Sequence, residues 1–245
     1  MRILKRVLLV ALALVLVAVI GFTVWAYTPL GPDPEALAAM QSGNGINVVE
    51  SPYLTFTPAG ILPTTGLIIY PGGRVDYRSY APTARAVAEQ GYLAVIVPMP
   101  FNLAVFGSGR ANGVIAAHPE ITRWAVGGHS LGGAMSAAFI HGNPEAVDGL
   151  ALWAAYPAGN NSLADRDTVA TSISASNDGL ATPDKIEVSR SLLPPDTTWV
   201  VIEGGNHAGF GYYGSQGGDG EATISRAEQQ AQTVAATLQM LRSLP

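Results

Sequence analysis

From about Asn47 onward the chain alternates short apolar runs with stretches whose apolar residues recur at helical spacing. The runs GLIIYP, from Gly66, and LAVIVP, from Leu93, are apolar without interruption. That is the pattern of parallel strands buried on both faces. Between them YRSYAPTARAVAEQG predicts a helix that stops at Gly91, a residue suited to a helix C-terminus. Upstream, INVVE and YLTFTP predict two short strands joined through Ser51 and Pro52 in an antiparallel start. Downstream, ANGVIAAHPEI predicts a weaker helix, RWAVGG a strand and LGGAMSAAFIHGN a helix of small residues able to pack closely on a sheet. VDGLALWAAYP, TVATSISAS and TTWVVIEGG predict three more strands, and ISRAEQQAQTVAATLQMLRSL a long final helix. Such alternation with short connections predicts an α/β fold: a doubly wound, mostly parallel sheet with helices on both faces. Ligands in such sheets bind beyond the carboxyl ends of the strands, so the residues just after each strand carry the functional information.

The N-terminus follows a different pattern. Arg2, Lys5 and Arg6 precede an apolar run over residues 7–26. About 20 helical residues at ~1.5 Å each match a hydrocarbon core of ~30 Å. The apolar part of a cleavable signal is shorter, about 7–15 residues. Trp25 and Tyr27 at the far end are rings suited to the membrane interface. Residues 1–27 therefore read as an uncleaved signal anchor, a single-pass helix in the cell membrane with the basic end cytoplasmic and the remainder extracytoplasmic. Secretion after cleavage is the alternative. Residues 28–45, beginning TPLGPDPEA, read as a Pro-rich linker, and residues 46–245 as one domain.

Composition narrows the function classes. The 245 residues suit a single sizeable domain, and 48% hydrophobic against 13% charged residues supports a large core and argues against disorder. A net charge of −5, with no basic run beyond the N-terminus, argues against a nucleic-acid partner. With no cysteine there is no disulfide framework, no thiolate nucleophile and no thiolate metal site.

The candidate chemistry centres on Gly128-His129-Ser130-Leu131-Gly132, a G-x-S-x-G between a predicted strand and a predicted helix. A residue forced into so sharp a turn needs neighbours without side chains, and the helix that follows aims its amides at developing negative charge. The competing reading of Ser130 is a helix N-cap. A serine nucleophile needs a base, and the base needs an orienting group. His207 lies in a glycine-rich loop directly after the last strand, whereas His118, His129 and His141 read as structural. Asp178 follows the strand expected over 168–176, in an Asn-Asp-Gly turn. Asp184, beside Pro183, reads as a helix start, and Asp165 and Asp167 precede the strand. Pro71, Gly72 and Gly73 follow an inner strand, so an amide of Gly73 or Arg74 is a candidate partner for the Leu131 amide in an oxyanion hole.

The chain order Ser130, Asp178, His207, each after a successive strand, resembles the α/β-hydrolase superfamily. More narrowly, YPGGRVDYRSYAP and GGNHAGFGYYGSQGGDG resemble the small bacterial hydrolases of the α/β-hydrolase fold-5, dienelactone-hydrolase-like group. The resemblance implies an acyl-enzyme mechanism with Ser130 as nucleophile, His207 as base and Asp178 as its orienter. Dienelactone hydrolases use a cysteine nucleophile; serine stands here, so the dienelactone substrate does not carry over.

The expected activity is a carboxylesterase-like serine hydrolase acting on small esters, with no metal and no cofactor. Acyl transfer or perhydrolysis through the same triad, and a catalytically silent binding domain, are the alternatives. About a dozen residues between LALWAAYP and TVATSI leave no room for a helical cap. Phe101 and Phe106, in MPFNLAVFGSG, and Tyr156 are candidate walls of the substrate pocket. Arg74 and Arg78 read as solvated. Asp219 or Glu221 is expected to start the final helix, and the surrounding glycine-rich loop lacks the ligand spacing of an EF-hand.

Overall fold

The computed structural model describes residues 2–245. Within them, eight strands form one sheet: β1 (Ile46–Val49), β2 (Leu54–Pro58), β3 (Thr65–Tyr70), β4 (Leu93–Ile96), β5 (Arg123–His129), β6 (Gly149–Trp153), β7 (Val169–Ala175) and β8 (Thr198–Ile202). Their order is β1-β2-β4-β3-β5-β6-β7-β8. β2 runs antiparallel to β1 and β4, and every remaining pair is parallel, so the expected antiparallel start leads into a parallel sheet.

The inner strands are apolar at successive positions because each face of the sheet has its own cover. Leu67, Ile69, Ala94 and Ile96 share one core with Ala84 and Val87 of α3 (Ala81–Ala88) and Leu238 and Leu241 of α7 (Arg226–Arg242). Ile68, Tyr70, Val95 and Val126 share the other with Val114 of α4 (Ala111–Ala117) and Ala137 and Ile140 of α5 (Leu131–Gly142). Burying one such aliphatic side chain stabilises the fold by about 1.5–3 kcal/mol, so the sheet's interior sets the register of everything at its rim. Between β6 and β7 there is one 3-10 turn, Gly159–Asn161, and no helical cap, and between β7 and β8 lies α6 (Pro183–Val188).

The N-terminal helix α1 spans Arg2–Tyr27, and its apolar side chains are exposed almost throughout. It is long and apolar enough to cross a membrane. Residues 28–45, read from the sequence as a Pro-rich linker, lie along the domain and contain the helix α2 (Pro34–Ala39), capped by Asp33. The Leu30 amide donates to the Arg74 carbonyl at 2.8 Å, and the Asp76 amide returns a bond to Leu30 at 2.9 Å. Arg85 collects the carbonyls of Ala39, Gln41 and Gly43. Composition marks proline as a helix breaker, but Pro34 sits at the start of α2, where its missing N–H costs nothing.

Candidate active site

The turn between β5 and α5 is built on steric exclusion. Ser130 has φ 53° and ψ −121°, left-handed backbone that costs a side-chain-bearing residue about 1–3 kcal/mol. A Cβ on Gly128 would stand 2.3 Å from the Tyr70 carbonyl oxygen, and one on Gly132 would stand 2.1 Å from the same atom. Only glycine lets this turn press against the end of β3. Ser130 occupies the N-cap position of α5, yet its side chain makes no capping hydrogen bond. The N-cap reading therefore fails, and the hydroxyl is left to the cavity.

Ser130 and Leu131 line a cavity of about 300 Å³ together with Ala134, Ala154, Ala155, Tyr156, Leu180, Ala181 and His207. His207, directly before the 3-10 turn Ala208–Phe210, is buried. Its Nδ1 stands 2.8 Å from Asp178 Oδ2. The other oxygen, Oδ1, accepts the amides of Leu180 and Ala181, each at 2.7 Å. With Oδ1 taken up by two amides, Oδ2 is the oxygen that faces Nδ1, and Nε2 is the ring nitrogen turned away from Asp178. Among the described residues Nε2 has no hydrogen-bond partner, Ser130 Oγ included. The pair shares the cavity unbonded, and hydrogen bonds of this kind commonly tighten only around substrate.

Two amides remain candidates for an oxyanion hole. The Leu131 N–H belongs to the first turn of α5, whose amides have no partner within the helix. Gly73 lies against the Leu131 side chain, since a Cβ there would stand 3.2 Å from Leu131 Cδ2. Among the described residues the Gly73 amide donates to no protein group. The Arg74 amide, the rival candidate, is removed from consideration: it donates to the Asn102 carbonyl at 2.8 Å. The Arg74 side chain is equally committed, with Nε on the Trp25 carbonyl at 2.9 Å and a terminal nitrogen on that of Thr28 at 2.7 Å. Arg78 is partly exposed, as expected, and grips Asp76 through two nitrogens.

Of the expected pocket walls, Tyr156 lines the cavity, and Phe101 and Phe106 do not. Phe101 packs against Phe22 and Tyr27 of α1 and against Phe106. The N-terminal helix thus covers Phe101, while Phe106 packs on Phe101 and stays half exposed.

Two residues outside the expected set shape the site. The Tyr80 hydroxyl accepts the Gly72 amide at 3.0 Å and lies 2.9 Å from His129 Nδ1. Its one proton is thus left for Nδ1. His129 is fully buried; burial first, then the neighbouring His207, hold its pKa well below the ordinary value, so it stays neutral. Asp219, expected to start the final helix, instead accepts four backbone amides, those of Gly179, His207, Ala208 and Gly220. The helix start falls to Ser225, which caps α7 through the Glu228 amide. Asp219 was visible in sequence only as an aspartate among glycines; its acceptor role depends on two loops that meet in the fold. Among the described residues no three His, Asp or Glu side chains converge as metal ligands.

Comparison with known proteins gives a consistent picture. The sequence model described as the alpha/beta hydrolase family matches residues 66–231. No protein of curated function matches the chain. The esterase domain of a Rhodothermus marinus protein is similar in structure, with a TM-score of 0.58 and 13% identity over 78% of this chain and 92% of that one. A predicted CIB-like hydrolase from Thermoplasma acidophilum has a TM-score of 0.59 and 13% identity over 82% of this chain and 100% of its own. A protein described as a dienelactone hydrolase, from Klebsiella pneumoniae, has a TM-score of 0.57 and 14% identity over 81% and 98%. At these identities the likeness establishes the fold.

Proposed function

The chain belongs to the alpha/beta hydrolase family, and on that footing we propose that it is a membrane-anchored serine hydrolase of carboxylic esters, with its catalytic domain outside the cytoplasm. One observation carries the reading. A strained serine, uncommitted to any helix cap, opens into the same cavity as a histidine whose far nitrogen is held by a buried aspartate.

In the proposed reaction, Ser130 Oγ attacks the ester carbonyl carbon while its proton passes to His207 Nε2. The carbonyl oxygen becomes an oxyanion and takes hydrogen bonds from the Leu131 and Gly73 amides. Losing one such donor typically costs about 3–4 kcal/mol of transition-state stabilisation. The tetrahedral intermediate collapses, the C–O bond to the alcohol breaks, and His207 delivers its proton to the departing oxygen. Water then attacks the acyl-enzyme, giving a proton to His207 that returns to Ser130 as the carboxylic acid leaves. Asp178 keeps the Nδ1 proton in place and stabilises the imidazolium formed in each half-reaction. The cavity, with Ala154, Ala155, Ala181 and Leu180 as walls, offers the acyl group an apolar lining and few polar partners.

Hydrolysis of short-chain p-nitrophenyl esters by the full chain in detergent tests this. Turnover lost in both Ser130→Ala and His207→Ala supports the reading. Turnover retained in Ser130→Ala, or absent from the folded parent across ester, thioester and lactone substrates, overturns it.

A further inference from the structure

The last turn of α1 is fastened to the loops beside the candidate site. The final carbonyls of any helix lack partners within it. Here Arg74 takes those of Trp25 and, just beyond, Thr28, while Asn102 Nδ2 donates to that of Ala26 at 2.9 Å. The Arg74 guanidinium also lies over the Trp25 ring, 4.4 Å from its centroid. Because the Arg74 amide bonds Asn102, one set of contacts joins the anchor, the loop 101–106 and the backbone next to Gly73.

Depth along α1 says what this loop meets. Phe22 and Tyr27 are five residues apart, about 7–8 Å along a helix axis. The polar zone on each side of a ~30 Å hydrocarbon core is of similar thickness. The Phe101 ring touches both, with centroids 5.6 Å from Phe22 and 5.8 Å from Tyr27. Since the apolar run of α1 ends at Ala26, the ring is held at the outer end of the span, beside the zone that aromatic residues favour. Phe106 stacks edge-on against it at 5.5 Å and is still 55% exposed, and Val105 is 53% exposed. With α1 in a membrane, two exposed apolar side chains at that level would have a lipid surface beside them.

Resting on the anchor reading above, we propose that residues 101–106 are a second membrane contact: Val105 and Phe106 insert into the outer interface, and the domain sits with its Gly73 side on the lipid. The anchor then acts as more than a tether. It fixes which rim of the domain faces the bilayer, and the ester substrates this arrangement favours are amphiphiles partitioned into that surface.

The absence of cysteine makes the test clean, since an introduced cysteine is the sole thiol. The full chain would carry an environment-sensitive fluorophore at Phe106→Cys, in vesicles of phosphatidylcholine and phosphatidylglycerol with a lipid-borne quencher. Leu16→Cys, inside α1, reports the anchor. Leu62→Cys, 88% exposed before the start of β3, reports the opposite end of the sheet. Quenching at positions 16 and 106 several-fold above that at 62 supports the inference. Quenching at 16 alone overturns the contact and leaves the anchor standing. A blue-shifted but unquenched label at 106 means protein, not lipid, covers the loop, and also overturns it. No quenching at 16 removes the anchor reading and the contact with it. In parallel, Phe106→Asp should lose about tenfold in hydrolysis of a vesicle-borne ester and keep its rate on a soluble one. Equal rates on both would count against the proposal. Failure to hydrolyse either ester in the parent would instead count against the hydrolase reading.

Discussion

Asp219 holds His207 by its backbone: Oδ1 accepts the His207 amide at 3.1 Å and, at the same distance, the amide of Gly179, which follows Asp178. One carboxylate thus ties the loop of the candidate base to the turn of its orienter. The distance between the two side chains is set through a residue that touches neither ring nor substrate.

Asp219→Ala should therefore act on catalysis through position. Four amides lose their acceptor, and a displacement near 1 Å can cost about 10²-fold. We expect kcat to fall by about 10- to 100-fold with little change in KM, and Asp219→Asn, which keeps one carbonyl oxygen, to fall between. Steady-state kinetics on a soluble ester check this; an unchanged kcat in Asp219→Ala would show that the loops hold each other without it.

Ser130 carries a cost that a glycine would not. Its φ of 53° is strained for any residue with a Cβ. Ser130→Gly should be inactive yet more stable than Ser130→Ala by about 1 kcal/mol, which for a domain of this size is about 2–4 °C in Tm. Thermal unfolding of the two variants side by side decides it, and equal midpoints would mean the turn is not strained.

His129 makes stability depend on pH. Its pKa is depressed in the folded chain, chiefly by burial, against about 6.5 when unfolded. Below about pH 6.5 the unfolded chain takes up a proton that the folded one refuses. The stability present above that pH is lost as pH falls, by at most about 1.4 kcal/mol per unit. Denaturant unfolding between pH 7.5 and 5 should show a shallower decline for His129→Gln than for the parent. Parallel declines would show that His129 accepts a proton in the folded state.

The inner strands were readable because β3, β4 and β6 are buried along their whole length, and a sheet covered on both faces leaves a continuous apolar run. The places of Ser130, Asp178 and His207 directly after β5, β7 and β8 follow from the same periodicity. What the sequence hid is what links distant segments. Nothing local to Arg74 reveals that its amide is taken by Asn102, or that its guanidinium reaches the end of α1. Phe101 and Phe106 read as pocket walls because an apolar loop does not announce its cover. The segment 28–45 read as a linker because its prolines are visible, while its bonds to the loop after β3 are not.

The most direct test of the hydrolase reading is the site of covalent capture. The full chain would be treated with a fluorophosphonate and digested, and the adduct located by mass spectrometry. A single phosphonyl group on Ser130, formed at least 100-fold more slowly in His207→Ala, is the expected result. A folded chain that takes no adduct, or takes it on another residue, would contradict the assignment of Ser130 as nucleophile.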